Sequence, residues 1–259
     1  MGKTICFVNN KGGVGKTTTV CVVGRAWARL GRKILFIDLD SQANLTSIMT
    51  NTDAATKEWK MTLEDAFIAG PLKELPIINI AENMDIVPAD LSLANFDRDT
   101  SSMISREHLL ADLLATVKDS YDYILIDCPP ALGLITYNAL IASDYMVMVT
   151  CADGLSYMGM NMVAKMYAEV VRSNRLNPDL QIKGIFVTRF ENNNLCNLYL
   201  EKFKAEVGPY LIFPVIRKST KIAQSASFHR SIFDIDPQGR ATQDYLRAAH
   251  ELIERIELE

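Results

Sequence analysis

The sequence predicts a doubly wound α/β fold, in which helices cover both faces of a mainly parallel sheet. Short apolar runs rich in Val, Ile and Phe are typical of strands that are buried on both faces. Longer amphipathic stretches alternate with these runs, and such alternation builds parallel strands joined by right-handed crossovers. The chain has 259 residues, 49% of them hydrophobic, and we expect a single domain over residues 1–259.

The apolar runs predict seven strands, most of them continuously apolar. In chain order they cover residues 4–8, 33–38, 84–87, 123–127, 145–150, 182–188 and 211–215. Ligands bind such sheets at the carboxyl ends of the strands, so we expect the functional residues to follow these runs.

Helices are predicted between the strands, where apolar residues recur at intervals of three or four. They cover residues 17–30, 106–117, 158–172, 197–207 and 240–256. The last of these is expected to pack its apolar stripe on the rest of the fold. Methionines stand at positions 158, 160, 162 and 166, a spacing that cannot place all of them on one face. We therefore expect some in the core and others on a dimer or partner surface.

Composition and local patterns exclude several classes of protein. The apolar fraction is too high, and the net charge of −4 too small, for a disordered chain. There is no apolar run of about 18 residues to predict a membrane span, and the amino terminus lacks the layout of a signal peptide. The five cysteines form no CxxC pair and indicate buried thiols rather than disulfides or a zinc site. We expect a cytoplasmic protein that does not bind membranes.

Charge is distributed unevenly along the chain. Residues 180–249 contain ten Lys or Arg and six Asp or Glu, a formal charge of +4, whereas the remainder carries −8. Within them, residues 217–230 hold four basic residues and no acidic one. From charge alone, this stretch is equally a solvated surface or a site for a polyanion.

The most specific motif is a glycine-rich segment between the first predicted strand and the first helix. Residues 9–19 read NNKGGVGKTTT. Glycines let the backbone curl so that consecutive N–H groups point at phosphate oxygens, and the amino end of the following helix adds to the attraction. Lys16 is expected to reach the β- and γ-phosphates, and the Thr17 hydroxyl to bind Mg²⁺. A glycine-rich turn without a ligand is the weaker alternative, so we predict a nucleoside triphosphate site.

This segment departs from the common phosphate loop at one point. Asn10 stands where the first glycine is usual, and Lys11 precedes two glycines instead. KGGVGKTT resembles the deviant Walker A motif of the ParA/MinD superfamily of P-loop ATPases, which includes the nitrogenase iron protein. The resemblance implies that Lys11 crosses a dimer interface to the phosphates of the partner's nucleotide, and that Lys11 and Lys16 are catalytic. It implies ATP as the ligand, held by Lys11, Gly12, Gly13, Val14, Gly15, Lys16, Thr17 and Thr18.

Two carboxylate motifs extend the resemblance. Residues 35–45, LFIDLDSQANL, are similar to the family motif DxDPQGN, and Asp40 matches the carboxylate that positions the attacking water. Ser41 and Ala43 replace the usual Pro and Gly, so we expect a differently shaped loop. Residues 121–133, YDYILIDCPPALG, place Asp127 at the end of a strand, where it matches the Walker B carboxylate. The resemblance implies a Mg²⁺ site made of Thr17, Asp40 and Asp127.

A third stretch lies near the carboxyl end. Residues 215–230, VIRKSTKIAQSASFHR, are similar to the family stretch VIPRNVRLSEAPSHGK, which lies near the adenine. Arg217 stands in place of the proline, and Ser219 in place of the asparagine. The adenine contacts are therefore left open.

Within the superfamily, the chain is most similar to the small, Soj-like ParA proteins. Cys128 and Cys151 do not match the cysteine motifs of the iron protein, and the ending ELIERIELE is acidic, unlike the basic membrane-binding tail of MinD. In Soj-like proteins, ATP closes a sandwich homodimer that binds DNA without sequence preference, and a ParB-like partner stimulates hydrolysis. The resemblance thus implies plasmid or chromosome partition, with nucleoid association in the ATP-bound form. Lys218 and Lys221 match two basic positions of the family stretch, which implies that they contact DNA, and Arg189, Arg217 and Arg230 are further candidates.

Two other functions stay open. One is an ATPase of the same family that positions a protein cargo, such as a conjugation or secretion apparatus. The other is an enzyme similar to dethiobiotin synthetase, which shares the fold and transfers a phosphoryl group to a metabolite. Lys11 and the DLDSQAN stretch argue against the second, whereas nothing in the sequence separates the first from DNA partition.

Overall fold

The computed structural model describes residues 2–54, 59–69 and 74–258, except the side chain of residue 226. Over these residues, eight strands form one sheet in the order β3-β4-β2-β5-β1-β6-β7-β8. The strands are β1 (Lys3–Val8), β2 (Ile34–Asp38), β3 (Ile78–Ala81), β4 (Met84–Val87), β5 (Tyr123–Asp127), β6 (Tyr145–Cys151), β7 (Gln181–Thr188) and β8 (Leu211–Ile212). Every neighbouring pair is parallel except β3 with β4, which is antiparallel.

Helices connect these strands across the sheet. They are α1 (Lys16–Arg29), α2 (Asn44–Thr50), α3 (Leu63–Ala69), α4 (Phe96–Asp99), α5 (Leu109–Ala115), α6 (Leu134–Ile141), α7 (Gly154–Arg172), α8 (Asn194–Val207), α9 (Thr220–Ser227), α10 (Ile232–Ile235) and α11 (Arg240–Glu257). In the described part of the chain, no helix combines the length and the apolar character that crossing a membrane requires.

Alternate residues of the central strand β1 point into two cores on opposite faces of the sheet. Ile5 and Phe7 belong to the core under α1 and α11, whereas Cys6 and Val8 belong to the core under α5, α6, α7 and α8. On the first face, the indole Nε1 of Trp27 in α1 donates to the carbonyl of Ala249 in α11 at 2.9 Å. The closing helix therefore packs on the body through its apolar stripe, as predicted.

Several element bounds differ from those predicted. The strand β3 was not predicted, because it has only four residues, is partly exposed and lies antiparallel at the sheet edge. The predicted strand 211–215 ends at Ile212, shortly before Pro214, which has no N–H to donate to a ladder. Helix α5 covers only part of the predicted 106–117.

Two helices begin earlier than predicted because polar residues cap them. Asp153 accepts a hydrogen bond from the Ser156 N–H at the start of α7, and Asn193 accepts one from the Cys196 N–H at the start of α8. A side chain that accepts from the third following N–H is the standard N-cap arrangement. The cysteine prediction is confirmed over the described chain: all five are free thiols, four of them buried and Cys196 partly so.

Candidate nucleotide site

The glycine-rich loop leaves the carboxyl end of β1 and turns directly into α1. Gly15 makes this turn with φ of +89°, in the left-handed region that favours glycine. Within the described chain, the first turn of α1 has no acidic residue and no side-chain cap. The first N–H groups of a helix have no partner inside it, so those of α1 are free to bind an anion.

Lys16 lies beneath this loop with its side chain almost completely buried. The residue is 7% exposed, and Nζ donates to the carbonyl of Asn9 at 3.3 Å and lies 3.5 Å from that of Lys11. Burial lowers the pKa of Lys16, although the nearby Asp127 carboxylate opposes this shift. Among the described residues, carbonyl groups are the hydrogen-bond partners of this ammonium, which is therefore placed to bind a phosphate oxygen.

Two carboxylates stand side by side at the ends of neighbouring strands. Asp38 of β2 and Asp127 of β5 are partners in the parallel register, and both are buried. Asp38 accepts from the N–H and the Oγ1 of Thr46 at 2.9 and 2.8 Å. Neither carboxylate oxygen of Asp127 has a hydrogen-bond partner among the described residues.

Burial shifts both carboxyl groups towards the protonated form. It raises the pKa of Asp38 to about 6, despite the hydrogen bonds from Thr46. Burial, and then the charge of Asp38, raise the pKa of Asp127 well above its ordinary value, and the Thr17 hydroxyl and the Lys16 charge counteract this only in part. An ionised Asp127 thus lacks enough positive charge around it, and a cation would supply that charge.

The donors around Asp127 fit a magnesium ion. Mg²⁺ commonly uses one or two carboxylates and completes its shell with water and phosphate oxygens. The described residues contain no cluster of three or more His, Cys, Asp or Glu that would form an all-protein cage. Thr17 and Asp40 line a cavity over the phosphate loop, and the Asp40 N–H donates to Oδ1 of Asp38 at 3.1 Å. Thr17 and Asp40 both influence the pKa of Asp127, so they lie near its carboxylate.

A cavity of about 470 Å³ opens over the phosphate loop. Its lining includes the loop residues Gly12, Lys16, Thr17 and Thr18, together with Asp40 and the cations Arg189, Arg217 and Lys218. Apolar side chains also line it: Ile48, Pro130, Ile216, Ile222, Ala223 and Tyr245. The volume and this mixture of loop, cationic and apolar groups suit a nucleotide with its phosphates on the loop.

Comparisons with known proteins identify the family to which the chain belongs. A family model described as an AAA domain, AAA_31, matches residues 2–182. The chain is 34% identical to the sporulation initiation inhibitor protein Soj of Bacillus subtilis, over 97% of this chain and 98% of that protein. It is 31% identical to the chromosome-partitioning ATPase Soj of Treponema pallidum, over 98% of each. The chain belongs to this AAA family and is a ParA-type ATPase.

Solved structures confirm the predicted fold class of this ParA-type ATPase. Cobyrinic acid a,c-diamide synthase from Mycobacterium smegmatis, with bound ADP and magnesium, has a TM-score of 0.83 and 24% identity, over 99% of this chain and 96% of that one. A putative plasmid partition protein from Borrelia burgdorferi, bound to AMPPNP, has a TM-score of 0.81 and 25% identity, over 100% and 99%. Both likenesses extend over the whole sheet.

The two loop lysines of the ParA-type ATPase point to different places. Lys16 is buried and bonded to carbonyls of the loop, whereas the side chain of Lys11 is 33% exposed and reaches the start of α7. Nζ of Lys11 donates to both carboxylate oxygens of Asp153, at 3.0 and 2.9 Å, and to Oγ of Ser156 at 3.2 Å. Sequence reasoning missed this contact, although Asp153 three residues before Ser156 is a recognisable N-cap pattern.

Arg189, Arg217 and Lys218, three of the five residues predicted to contact DNA, line the same cavity. The Arg189 guanidinium donates to the carbonyl of Gly13 in the phosphate loop at 2.7 Å. Arg217 binds the buried carboxylate of Asp244 through two nitrogens at 2.6 and 2.8 Å. Three of the five thus have intramolecular partners, because Lys218 also pairs with Glu191, at 2.7 Å.

The other two basic residues are more accessible. Lys221 on α9 and Arg230 beyond its end are exposed, and neither forms an ion pair with any residue that the structure describes. Seven of the eight residues from 216 to 223, all except Lys221, line the cavity, so the stretch predicted to lie near the adenine borders the candidate nucleotide site. Sequence similarity gave no indication of the partners of Arg189, Arg217 and Lys218.

Proposed function

We propose that this ParA-type ATPase serves DNA partition. In this proposal, ATP closes a sandwich homodimer that binds DNA without sequence preference, and a ParB-like partner stimulates hydrolysis and release. The observation that carries the proposal is the division between the two loop lysines. Lys16 is buried beside the loop, where it serves the chain's own nucleotide, whereas the side chain of Lys11 is 33% exposed, so that a second copy of the chain can reach it.

The site chemistry assigned to this function uses ATP and Mg²⁺. The N–H groups at the start of α1 and the Lys16 ammonium hold the phosphates, and Asp127 and Thr17 hold the metal ion. When bound, Mg²⁺ neutralises charge on the phosphate oxygens. Asp40 orients the attacking water. The ADP, magnesium and AMPPNP of the two solved structures support this assignment.

Exposed apolar side chains around Lys11 support a dimer. Leu155, Met158 and Met162 project from α7 and are at least 49% exposed, whereas Met160 and Met166 of the same helix are buried. Leu195 and Leu198 are exposed on the first turns of the neighbouring helix α8. Grouped exposed apolar residues mark interaction surfaces, and a two-fold axis would present the same surface from both copies.

Replacing Lys11 by alanine is expected to leave ATP affinity within about twofold, because Lys16 and the loop amides remain. ATP-dependent dimerisation is expected to be lost, since the cation that reaches the partner's nucleotide is gone. Sedimentation velocity with Mg-AMPPNP measures the dimer, and calorimetry measures the affinity. If the variant still dimerised at the same protein concentration as wild type, Lys11 would have no role in the dimer, and the segment would act as an ordinary phosphate loop.

DNA binding is assigned chiefly to Lys221 and Arg230, which have no ion pair within the described chain. Phosphate contacts of this kind are independent of sequence and strongly dependent on salt. A second candidate function, an ATPase that positions a protein cargo, is favoured by the intramolecular partners of Arg189, Arg217 and Lys218. If those contacts persist in the dimer, fewer cations are available to DNA.

The deciding experiment measures retention of the Asp40→Ala protein on DNA with ATP, ADP or no nucleotide, over a salt series. The variant is expected to accumulate as an ATP-bound dimer, because the attacking water is no longer oriented. Binding only with ATP, equal on unrelated sequences and falling about tenfold or more between 50 and 200 mM salt, would support DNA partition. Dimers that bind no DNA in any state would favour the positioning ATPase.

A matched pair of charge reversals identifies the surface involved. In the Asp40→Ala background, Lys221→Glu is expected to weaken DNA retention uniformly across sequences. Arg175→Glu is the control, because Arg175 is exposed in the segment that precedes β7, at the opposite edge of the sheet from the nucleotide cavity. Equal losses in the two variants would indicate a general charge effect rather than a site at Lys221.

A further inference from the structure

All three N–H donors of the Lys11 ammonium have acceptors within one copy of the chain. An ammonium carries three N–H donors, and Lys11 meets three acceptors at 2.9–3.2 Å: the two oxygens of Asp153 and the Oγ of Ser156. The two partners are also bound to each other, because Asp153 accepts from the N–H and the Oγ of Ser156 at 2.8 and 3.1 Å. Binding a phosphate oxygen therefore requires Lys11 to break at least one of these bonds.

The contact belongs to a wider packing of the phosphate loop against α7. Gly159 of this helix approaches the loop so closely that a Cβ there would lie 2.9 Å from Oδ1 of Asn9. The amide of Asn10 donates to the sulfur of Met162 at 2.9 Å. Lys11 is thus held by a helix that is itself fixed against the loop, and its position is determined within one copy of the chain.

The pair is also favourable electrostatically. Burial opposes ionisation of Asp153, but the hydrogen bonds from Ser156 and Lys11 outweigh it and lower the pKa of this carboxyl. Asp153 stands at the amino end of the 19-residue helix α7, where the helix dipole also favours a negative charge. The carboxylate is therefore ionised at neutral pH and binds Lys11 as a charged group.

We propose that Asp153 and Ser156 are positioning residues that hold Lys11 within its own chain and so oppose ATP-dependent dimerisation. This inference rests on the proposed function, because it concerns the lysine that reaches the partner's nucleotide. A half-exposed ion pair changes an equilibrium constant by about two- to fivefold. Two such contacts open when a symmetric dimer forms, so releasing both is expected to strengthen dimerisation about 4- to 25-fold.

The substitution Asp153→Asn separates the positioning role from the capping role. Asparagine caps helices as well as aspartate does, so α7 keeps its N-cap while Lys11 loses its counter-charge. Asp153→Ala removes both the N-cap of α7 and the counter-charge of Lys11. Ser156→Ala removes one hydrogen-bond acceptor of Lys11 and keeps the charge of Asp153. Glu191→Gln is the control, because it removes an exposed carboxylate paired with Lys218 and leaves the contacts of Lys11 in place.

Two measurements test the proposal. The first is acylation of Lys11 by a succinimidyl ester in the nucleotide-free protein, followed by peptide mass spectrometry; it does not depend on dimerisation. Asp153→Asn is expected to react faster than wild type, and Glu191→Gln at the wild-type rate. The second is the protein concentration at half-dimerisation with Mg-AMPPNP, which is expected to fall in Asp153→Asn and, by less, in Ser156→Ala.

The outcomes distinguish this proposal from the proposed function. Unchanged acylation in Asp153→Asn, or weaker dimerisation than wild type, would overturn the positioning role while leaving the ATPase dimer intact. If Asp153→Asn were acylated faster but neither it nor wild type dimerised, the dimerisation step of the proposed function would be overturned. The contact between Lys11 and Asp153 would then have no role in controlling dimerisation. Faster acylation together with tighter dimerisation supports both.

Discussion

Replacing Lys16 by alanine is expected to weaken ATP binding by about 100-fold or more. Lys16 is only 7% exposed and its ammonium is bonded to a carbonyl of the loop, so it meets the phosphates away from bulk water. A hydrogen bond to a charged group contributes about 1.5–3 kcal/mol, and one cation that reaches two phosphates loses more than one such bond. Calorimetry with Mg-AMPPNP measures the change.

Lys11→Ala is the matched control, since it removes a lysine from the same loop but is expected to retain affinity. The fold of Lys16→Ala is expected to persist, because the substitution removes a buried charge whose pKa is already lowered by burial. A urea unfolding curve checks this. Unchanged affinity in Lys16→Ala, or equal losses in the two variants, would show that the phosphates do not bind over α1.

The fold was predictable where strands are buried on both faces. Continuous apolar runs such as β5, with every residue buried, have few alternatives to a central strand. Edge elements were less predictable: β3 is partly exposed, and β8 stops after two residues. At the edge, one neighbouring strand and solvent decide the limits of an element, and neither leaves a strong pattern in the sequence.

The sequence predicted those parts of the candidate site that lie within the motifs. Lys16 and Asp40 follow β1 and β2 and line one cavity, and Asp127 ends β5, the strand between them, so the topology of a parallel sheet brings these residues to the same end of the sheet. Contacts between distant segments were not predictable. Arg189 meets a carbonyl 176 residues away, and Lys11 meets a carboxylate 142 residues away. The resemblance to the family implied DNA contacts for five basic residues, whereas the fold supplies three of them with internal partners.

Asp127→Asn is expected to stabilise the nucleotide-free protein at neutral pH while slowing Mg²⁺-dependent hydrolysis by about 100-fold or more. The wild-type carboxylate is buried, has no hydrogen-bond partner among the described residues and stands beside Asp38. An amide has the same shape but no charge to desolvate. Since its polar atoms are also buried, the expected gain is about 1 kcal/mol rather than the full cost of a buried charge.

The pH dependence of this gain has a definite sign. An aspartate in the unfolded chain titrates near pH 3.9, and the pKa of Asp127 in the folded protein is well above that value. The folded state therefore binds the proton more tightly, and wild-type stability falls as pH rises from about 4 towards the folded pKa. The advantage of Asp127→Asn is expected to be negligible at pH 4, to grow towards neutral pH and then to level off.

Asp244→Asn provides a contrast at a carboxylate that is equally buried but paired. Its side chain is 3% exposed and is bound by two nitrogens of Arg217, so loss of its charge is expected to destabilise the protein. Urea unfolding of both variants between pH 4 and pH 8 tests the opposite signs. If Asp127→Asn were less stable than wild type by the same amount at every pH, the buried charge of Asp127 would not destabilise the nucleotide-free protein, and a metal ion would not be needed to neutralise it. The stability advantage of Asp127→Asn over wild type is expected to disappear when Mg-AMPPNP is added, because the metal ion stabilises only the protein that keeps its carboxylate. That result would show that the group which destabilises the nucleotide-free protein is the group that binds the ion.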